Sequence, residues 1–317
     1  KVTKIDIISG FLGAGKTTLI KKLLEEAFVG EKVVLIENEF GEIGIDGSIL
    51  KDYGIEIKEM NSGCICCTIA GDFSLALKEI LSLYHPDRII IEPSGVGKLS
   101  DVINGCKKFL KDGSVELNMC ITVVDALKYK VYLKNFTEFY ANQLENAKTI
   151  ILSRTQNTKS EVIENILKDV QKYNPIAHVV TTDWKNVHGK KMVELGENLE
   201  EIPGLKILLE ESGHEHEHKH EHGVHHHADE LFHVWGRETA KIFERSRMEE
   251  ILNRLDSIEG GILRAKGIIR TGNDKWIQFD YVPKEVVIRD TTPDCTGRIC
   301  VIGENIDANA LSDIFEL

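Results

Sequence analysis

Ile5-Asp6-Ile7-Ile8-Ser9-Gly10-Phe11-Leu12-Gly13-Ala14-Gly15-Lys16-Thr17 runs from a short apolar stretch through a glycine-rich turn to Lys-Thr. Ile5-Asp6-Ile7-Ile8 reads as a strand, and Lys16 to Phe28 reads as a helix. The turn between them fits the phosphate-binding pattern G-x-x-x-x-G-K-[ST], in the strand–loop–helix setting that pattern requires. Its glycines let the backbone approach phosphate oxygens, and N–H groups at a helix N-terminus favour anions. Lys16 is suited to neutralise β- and γ-phosphate charge, and the Thr17 hydroxyl to ligate Mg²⁺.

Outward from this turn, apolar β-rich runs alternate with amphipathic stretches as far as about residue 185. Lys32 to Glu37, Arg88 to Glu92, Met119 to Asp125 and Thr149 to Ser153 read as further strands. Near-continuous Ile/Val runs imply strands buried on both faces, and helices between them imply a parallel sheet. The fold class expected is α/β, a P-loop NTPase domain with a mostly parallel sheet, plus a small C-terminal α+β domain. Boundaries are set at 1–207 for the first domain, 208–229 for a linker and 230–317 for the second domain. In the last, Phe232 to Trp235 reads as a strand and Glu244 to Leu255 as an amphipathic helix. Ile262 to Arg270 and Trp276 to Val282 read as a strand pair.

Ligands of such sheets sit at the carboxyl ends of the strands. Four segments fall there. One is the phosphate turn. A second is Glu92-Pro93-Ser94-Gly95, where the acid can hold a magnesium's water shell or orient the attacking water. Gly95 can bond a γ-phosphate through its N–H and swing when that phosphate leaves. A third is the acidic loop from Glu37 to Asp46, where a nucleotide-sensing switch is expected. The fourth is Ser153-Arg154-Thr155-Gln156.

Cys64-Ile65-Cys66-Cys67 puts three thiols into four residues. Thiolates suit Zn²⁺ and similar soft ions. In an extended stretch Cys64 and Cys66 point to one side and Cys67 to the other, so the spacing guarantees two convergent ligands. A third is Cys67 after a turn, or a carboxylate such as Glu37 or Glu42. Incomplete coordination suits a site that passes its metal on. Residues 213–229 hold His214, His216, His218, His220, His222, His225, His226 and His227, eight of the twelve histidines. Such imidazoles bind Zn²⁺, Ni²⁺ or Co²⁺ weakly and exchange quickly.

The net charge of −12 argues against a phosphate-backbone binder, so no nucleic-acid partner is expected. No apolar run approaches the roughly 20 residues of a membrane span. The residues before the phosphate turn are too few for a signal peptide, and none is expected there. Seven cysteines, three of them crowded together, make a poor disulfide framework and point to reduced thiols in the cytoplasm. Cys106 and Cys120 are expected in the core, and Cys295 and Cys300 as core or loop thiols rather than a second metal site.

Taken together, GFLGAGKTTL, ENEFGEIGID, NSGCICC, the EPSG turn and Val123-Val124-Asp125-Ala126 resemble the CobW-type family of P-loop GTPase metallochaperones. The block after the histidines resembles that family's C-terminal domain. The resemblance implies a GTPase that handles zinc or cobalt and delivers it to a client metalloprotein. It carries nucleotide binding onto Gly13, Ala14, Gly15, Lys16, Thr17 and Thr18, with Gly10 opening the loop. It carries metal ligation onto Glu37, Glu42 and Cys66, with Cys64 and Cys67 beside them. A nucleotide-dependent homodimer is compatible with folds of this class.

One position departs from the pattern. GTPases of this kind carry Asn-Lys-x-Asp after the fifth strand, and this chain has Ser153-Arg154-Thr155-Gln156. The aspartate accepts from guanine N1–H and its 2-amino group. Gln156 has one carbonyl oxygen and a donor NH₂, and cannot satisfy both in the same way. Arg154 could still cover the base face. The residues therefore leave guanine selectivity open. Two other readings compete: a metal buffer with a vestigial NTPase site, and a small-molecule kinase, which leaves the thiols unexplained.

Overall fold

The computed structural model describes residues 2–37, 56–59, 69–107, 109–110, 113–197, 233–258, 261–272 and 274–317, with backbone alone for 56–59 and 69–76. The chain divides into two compact units, Lys1–Leu199 and Glu200–Leu317. Cys64, Cys66, Cys67, Glu42 and the histidines from His214 to His227 lie outside the described residues.

The first unit runs β1 (Thr3–Gly10), α1 (Lys16–Glu26), β2 (Val33–Glu37), β3 (Glu56–Glu59), α2 (Ile69–Tyr84), β4 (Arg88–Glu92) and α3 (Leu99–Lys107). It continues with β5 (Val115–Asp125), α4 (Tyr129–Asn135), α5 (Thr137–Glu145), β6 (Thr149–Ser153), α6 (Ser160–Tyr173), β7 (His178–Val180) and α7 (Gly189–Glu197). Its seven described strands form one sheet in the order β3-β2-β4-β1-β5-β6-β7, every pairing parallel. The sequence called for a mostly parallel sheet, and the described pairings are parallel throughout.

The apolar runs explain this arrangement. Ile5, Ile7, Ile8, Leu35, Ile36, Ile89, Ile90 and Ile91 are fully buried, as strands covered on both faces require. On α1 the buried Leu19, Ile20, Leu23 and Leu24 recur at helical spacing and face the sheet. The order puts β1 in the centre, between β4 and β5, so the phosphate turn leaves the middle of the sheet's carboxyl edge. At the opposite edge, Arg88 ties three elements together. It is 2% exposed and pairs with Asp6, with Glu31 at 2.8 Å and with Glu197 of α7 at 3.2 Å, over the Phe28 ring.

The second unit holds β8 (His233–Thr239), α8 (Arg245–Arg254), β9 (Ile262–Gly272), β10 (Lys275–Val282), β11 (Glu285–Thr291), β12 (Gly297–Gly303) and α9 (Ala308–Phe315). Its sheet has the order β11-β10-β9-β12-β8 and is antiparallel. One face carries Trp235, Ile269, Phe279 and Val301 into a core closed by Met248, Ile251 and Leu252 of α8 and Leu311 and Phe315 of α9. This is an α+β layer, as expected. Among the described residues, no helix is long and apolar enough to cross a membrane.

Several bounds differ from the sequence reading for identifiable reasons. β5 begins at Val115 rather than Met119, because Asn118 there is held by Asp6 and Glu197 and needs no apolar character. β8 continues through Gly-Arg-Glu-Thr to Thr239 as a strand that, among the described residues, pairs only with β12, and Phe232 falls outside those residues. Cys106, Cys120, Cys295 and Cys300 are all buried. Burial pushes the Cys106 thiol up to about 12, helped by Cys120, and Cys120 and Cys300 up to about 11. Thiols held protonated in this way are poor metal ligands.

Candidate nucleotide site

The phosphate turn is built by conformations that only its own residues permit. Gly10 leaves β1 at φ +146, and a Cβ there would stand 2.5 Å from the Val123 carbonyl oxygen. Gly15 caps α1 in the left-handed region at φ +106. It offers no side-chain acceptor to the first helical turn, and that turn carries no acidic residue. The positive end of the helix is thus kept for an anion. Phe11 anchors the turn from below. It is buried, with ring centroids 4.6 Å from Tyr132, 4.8 Å from Phe136 and 5.8 Å from Tyr140.

Lys16, Thr17 and Glu92 converge. Lys16 Nζ lies 3.8 Å from Glu92 Oε1, and the Thr17 hydroxyl donates to the same oxygen at 3.4 Å. A hydroxyl and a carboxylate facing each other are the hard oxygen donors a magnesium ion takes. Glu37 closes β2 directly beside them: it pairs in register with Glu92 and is 5% exposed. The turn after Glu92 is held from below. Gln143 of α5, fully buried, donates its amide to the Gly95 carbonyl at 3.1 Å and the Gly97 carbonyl at 2.9 Å. Gly95 is pressed against the phosphate turn, so a Cβ on it would sit 2.8 Å from Leu12 N.

Beyond the turn, Ala14, Gly15, Thr18, Ser153, Arg154 and Gln156 line a cleft of about 480 Å³. All six were candidates from sequence. Arg154 sits in the left-handed region at φ +58, and its guanidinium bonds Asp125 and, at 2.9 Å, the Gly13 carbonyl. It thus fastens the phosphate turn from the far side as well as bordering the cleft. Asp125 itself accepts from Leu127 N at 2.9 Å. Asp183 and Trp184, on the same wall, were missed by the sequence reading, as was Gln143. Asp183 follows a three-residue strand too short to show a periodic pattern. Gln143 sits on a helix between Asn142 and Leu144, and nothing local marks it. Among the described residues, no group of three or more His, Cys, Asp or Glu side chains is gathered to hold a metal.

A central strand running into a glycine turn, a Lys-Thr helix start and a strand-end acid on the Thr hydroxyl define a P-loop nucleoside-triphosphate-binding fold. The family model described as CobW/HypB/UreG, nucleotide-binding domain matches residues 4–181, and the cobalamin synthesis protein cobW C-terminal domain matches residues 232–316. The chain belongs to the CobW/HypB/UreG family. It is 29% identical over 202 residues to the zinc chaperone YeiR of Escherichia coli K12, covering 64% of this chain and 62% of YeiR. It is 42% identical over 127 residues to the zinc chaperone CobW of a Sinorhizobium species, covering 38% of this chain and 36% of that one. The matched stretches thus span under two thirds of these relatives' length. Among solved structures, the Zn(II)-bound YjiA GTPase from E. coli aligns over all of this chain and 98% of that one, at 20% identity and a TM-score of 0.45.

Proposed function

We propose that the chain is a nucleotide-dependent metallochaperone. It takes a transition metal, zinc in preference to cobalt, at Cys64, Cys66 and Cys67 with Glu37 and Glu42. It passes that metal to a client metalloprotein as GTP is hydrolysed. The observation that carries this reading is the pairing of Glu37 with Glu92 on adjacent strands. One carboxylate belongs to the proposed metal ligands. The other contacts Lys16 and Thr17 of the phosphate turn. A change at the γ-phosphate edge therefore has one strand spacing to cross before it reaches the metal set.

Thr17 and Glu92 would hold Mg²⁺, which supplies charge neutralisation of the phosphates when bound. Lys16 faces the β- and γ-phosphate oxygens, Gly95 meets the γ-phosphate through its N–H, and Gln143 sets where Gly95 stands. Thiolates with carboxylates suit zinc, and similar proteins named zinc chaperones support the same metal. The test is GTP hydrolysis by the purified, reduced protein with and without Zn²⁺, alongside Lys16→Ala. We expect zinc to change the rate and Lys16→Ala to abolish hydrolysis while keeping zinc binding. In cells, Lys16→Ala should lose function, whereas a metal buffer would keep it.

A further inference from the structure

The Ser153-Arg154-Thr155-Gln156 loop lacks the aspartate that would read a guanine edge, yet the cleft beside it has a carboxylate on its wall. It comes from the next loop along the sheet. β6 and β7 are parallel neighbours with Ile151 opposite Val180, so the loops leaving their carboxyl ends run side by side. Asp183 borders the cleft together with Arg154 and Gln156 and is half-buried there. Its position is fixed locally: Lys185 N donates to Asp183 Oδ1 at 3.1 Å, and Asn186 N to the Asp183 carbonyl at 2.9 Å. Its neighbour keys the loop to the rest of the site. Trp184 Nε1 donates to the Leu152 carbonyl at 2.9 Å, and the indole edge lies 3.5 Å from where a Cβ on Gly15 would stand. The loop carrying Asp183 is thereby set against both the phosphate turn and β6.

We infer that Asp183 is the specificity-determining residue for the nucleobase and that the base it selects is guanine. The inference rests on the nucleotide-site reading above. Guanine presents two donors side by side, N1–H and the 2-amino group. A carboxylate is acceptor-only, with about four lone-pair sites, so one oxygen can keep the Lys185 N–H and still accept from the base. Adenine presents a donor beside an acceptor, and its N1 lone pair would face a negative oxygen. Gln156, with one carbonyl oxygen and one NH₂, has the complement of adenine instead. Arg154, bonded to Asp125 and the Gly13 carbonyl, has its guanidinium committed away from a base edge. Glu25 and Glu26 also line the cleft, but from α1 rather than from the loops that follow β6 and β7. Of the loop residues, Asp183 and Gln156 impose opposite selectivities, and only one can govern.

The experiment uses the full chain and measures affinity for GDP, ADP and xanthosine diphosphate in wild type, Asp183→Asn and Gln156→Ala. Lys16→Ala serves as the control for the phosphate site. The asparagine is isosteric and keeps an oxygen for the Lys185 N–H, so the loop retains its anchor; far-UV circular dichroism checks the fold. We expect wild type to prefer GDP over ADP by about a hundredfold or more, since a site built to bond a substrate N–H rejects analogues lacking it. Asp183→Asn should weaken GDP by about ten- to a hundredfold, as loss of charge-assisted bonds implies. It should strengthen xanthosine diphosphate, whose 2-carbonyl the asparagine amide can serve. GDP affinity within twofold of wild type in Asp183→Asn would overturn the assignment, as would a preference that collapses in Gln156→Ala alone. Equal affinity of wild type for ADP and GDP overturns the guanine reading and leaves the phosphate site standing. Binding of neither nucleotide, or binding undiminished in Lys16→Ala, overturns the nucleotide-site reading itself.

Discussion

Replacing Gln143 with leucine isolates the turn that follows Glu92. The wild-type amide gives both hydrogens to backbone carbonyls, Gly95 O at 3.1 Å and Gly97 O at 2.9 Å, and both glycines are buried. Leucine keeps most of the volume and donates nothing. Each buried acceptor left without its donor costs about 1–2 kcal/mol, so the pair is worth roughly 2–4 kcal/mol. Part is offset, because Gln143 Oε1 is itself buried without a hydrogen-bond partner and its removal is favourable. A net of about 1–3 kcal/mol remains, and it falls on the position of Gly95. If hydrolysis needs Gly95 where it stands, kcat should drop by about ten- to a hundredfold, at 1.36 kcal/mol per factor of ten. GDP affinity should stay within about twofold, because neither the phosphate turn nor the cleft wall is touched. Gly95→Ala is the companion from the opposite side, since its Cβ would meet Leu12 N at 2.8 Å. The assay is single-turnover GTP hydrolysis with a parallel GDP titration. Rates within twofold of wild type in both variants would refute the reasoning.

Two further predictions concern the opposite edge of the sheet. Arg88→Met should destabilise the first unit by about 3–5 kcal/mol, because it leaves the buried Asp6 without its cation. Adding Asp6→Asn should recover part of that in chemical denaturation, and a loss under about 1 kcal/mol for Arg88→Met would dismiss the network as a stabiliser. Burial alone would raise the Glu197 carboxyl, but hydrogen bonds from Lys4, Asn118 and Arg88 outweigh it and hold it below its ordinary value. A depressed carboxyl contributes stability above its unfolded pKa of about 4.3 and loses it as pH falls through the folded value. The stability gap between wild type and Glu197→Gln should therefore be present at neutral pH and close in acid; a gap independent of pH would contradict this.

The first unit was legible because a parallel sheet buries whole strands. Runs such as Arg88-Ile89-Ile90-Ile91-Glu92 announce themselves without long-range information. β3, Glu-Ile-Lys-Glu, carries one apolar residue and, among the described residues, pairs only with β2, so its strand character comes from its partner. β7 is three residues long and is recognisable only once β6 is in place. In the second unit, β11 alternates weakly, because its side chains are half-buried or exposed at a sheet edge. The site divides along the same line. Lys16, Thr17 and Glu92 lie in local patterns whose chemistry is contained in a few residues. Gln143 and Trp184 act through backbone carbonyls 48, 46 and 32 positions away, and Asp183 shares a cleft with residues as distant as Gly15. No local pattern encodes such contacts. The departure at Gln156 was visible in the sequence, whereas the neighbouring carboxylate that answers it needed the sheet order.

The central claim is that nucleotide state and metal affinity are coupled, and a zinc titration tests it most directly. The reduced protein would be titrated without nucleotide, with GDP and with a non-hydrolysable GTP analogue, beside a protein lacking residues 214–227. The account predicts a high-affinity site that survives the deletion and whose affinity shifts by about fivefold or more with the γ-phosphate, a coupling of about 1 kcal/mol or more. An affinity that disappears with the histidines, or that is equal in all three nucleotide states, would contradict it.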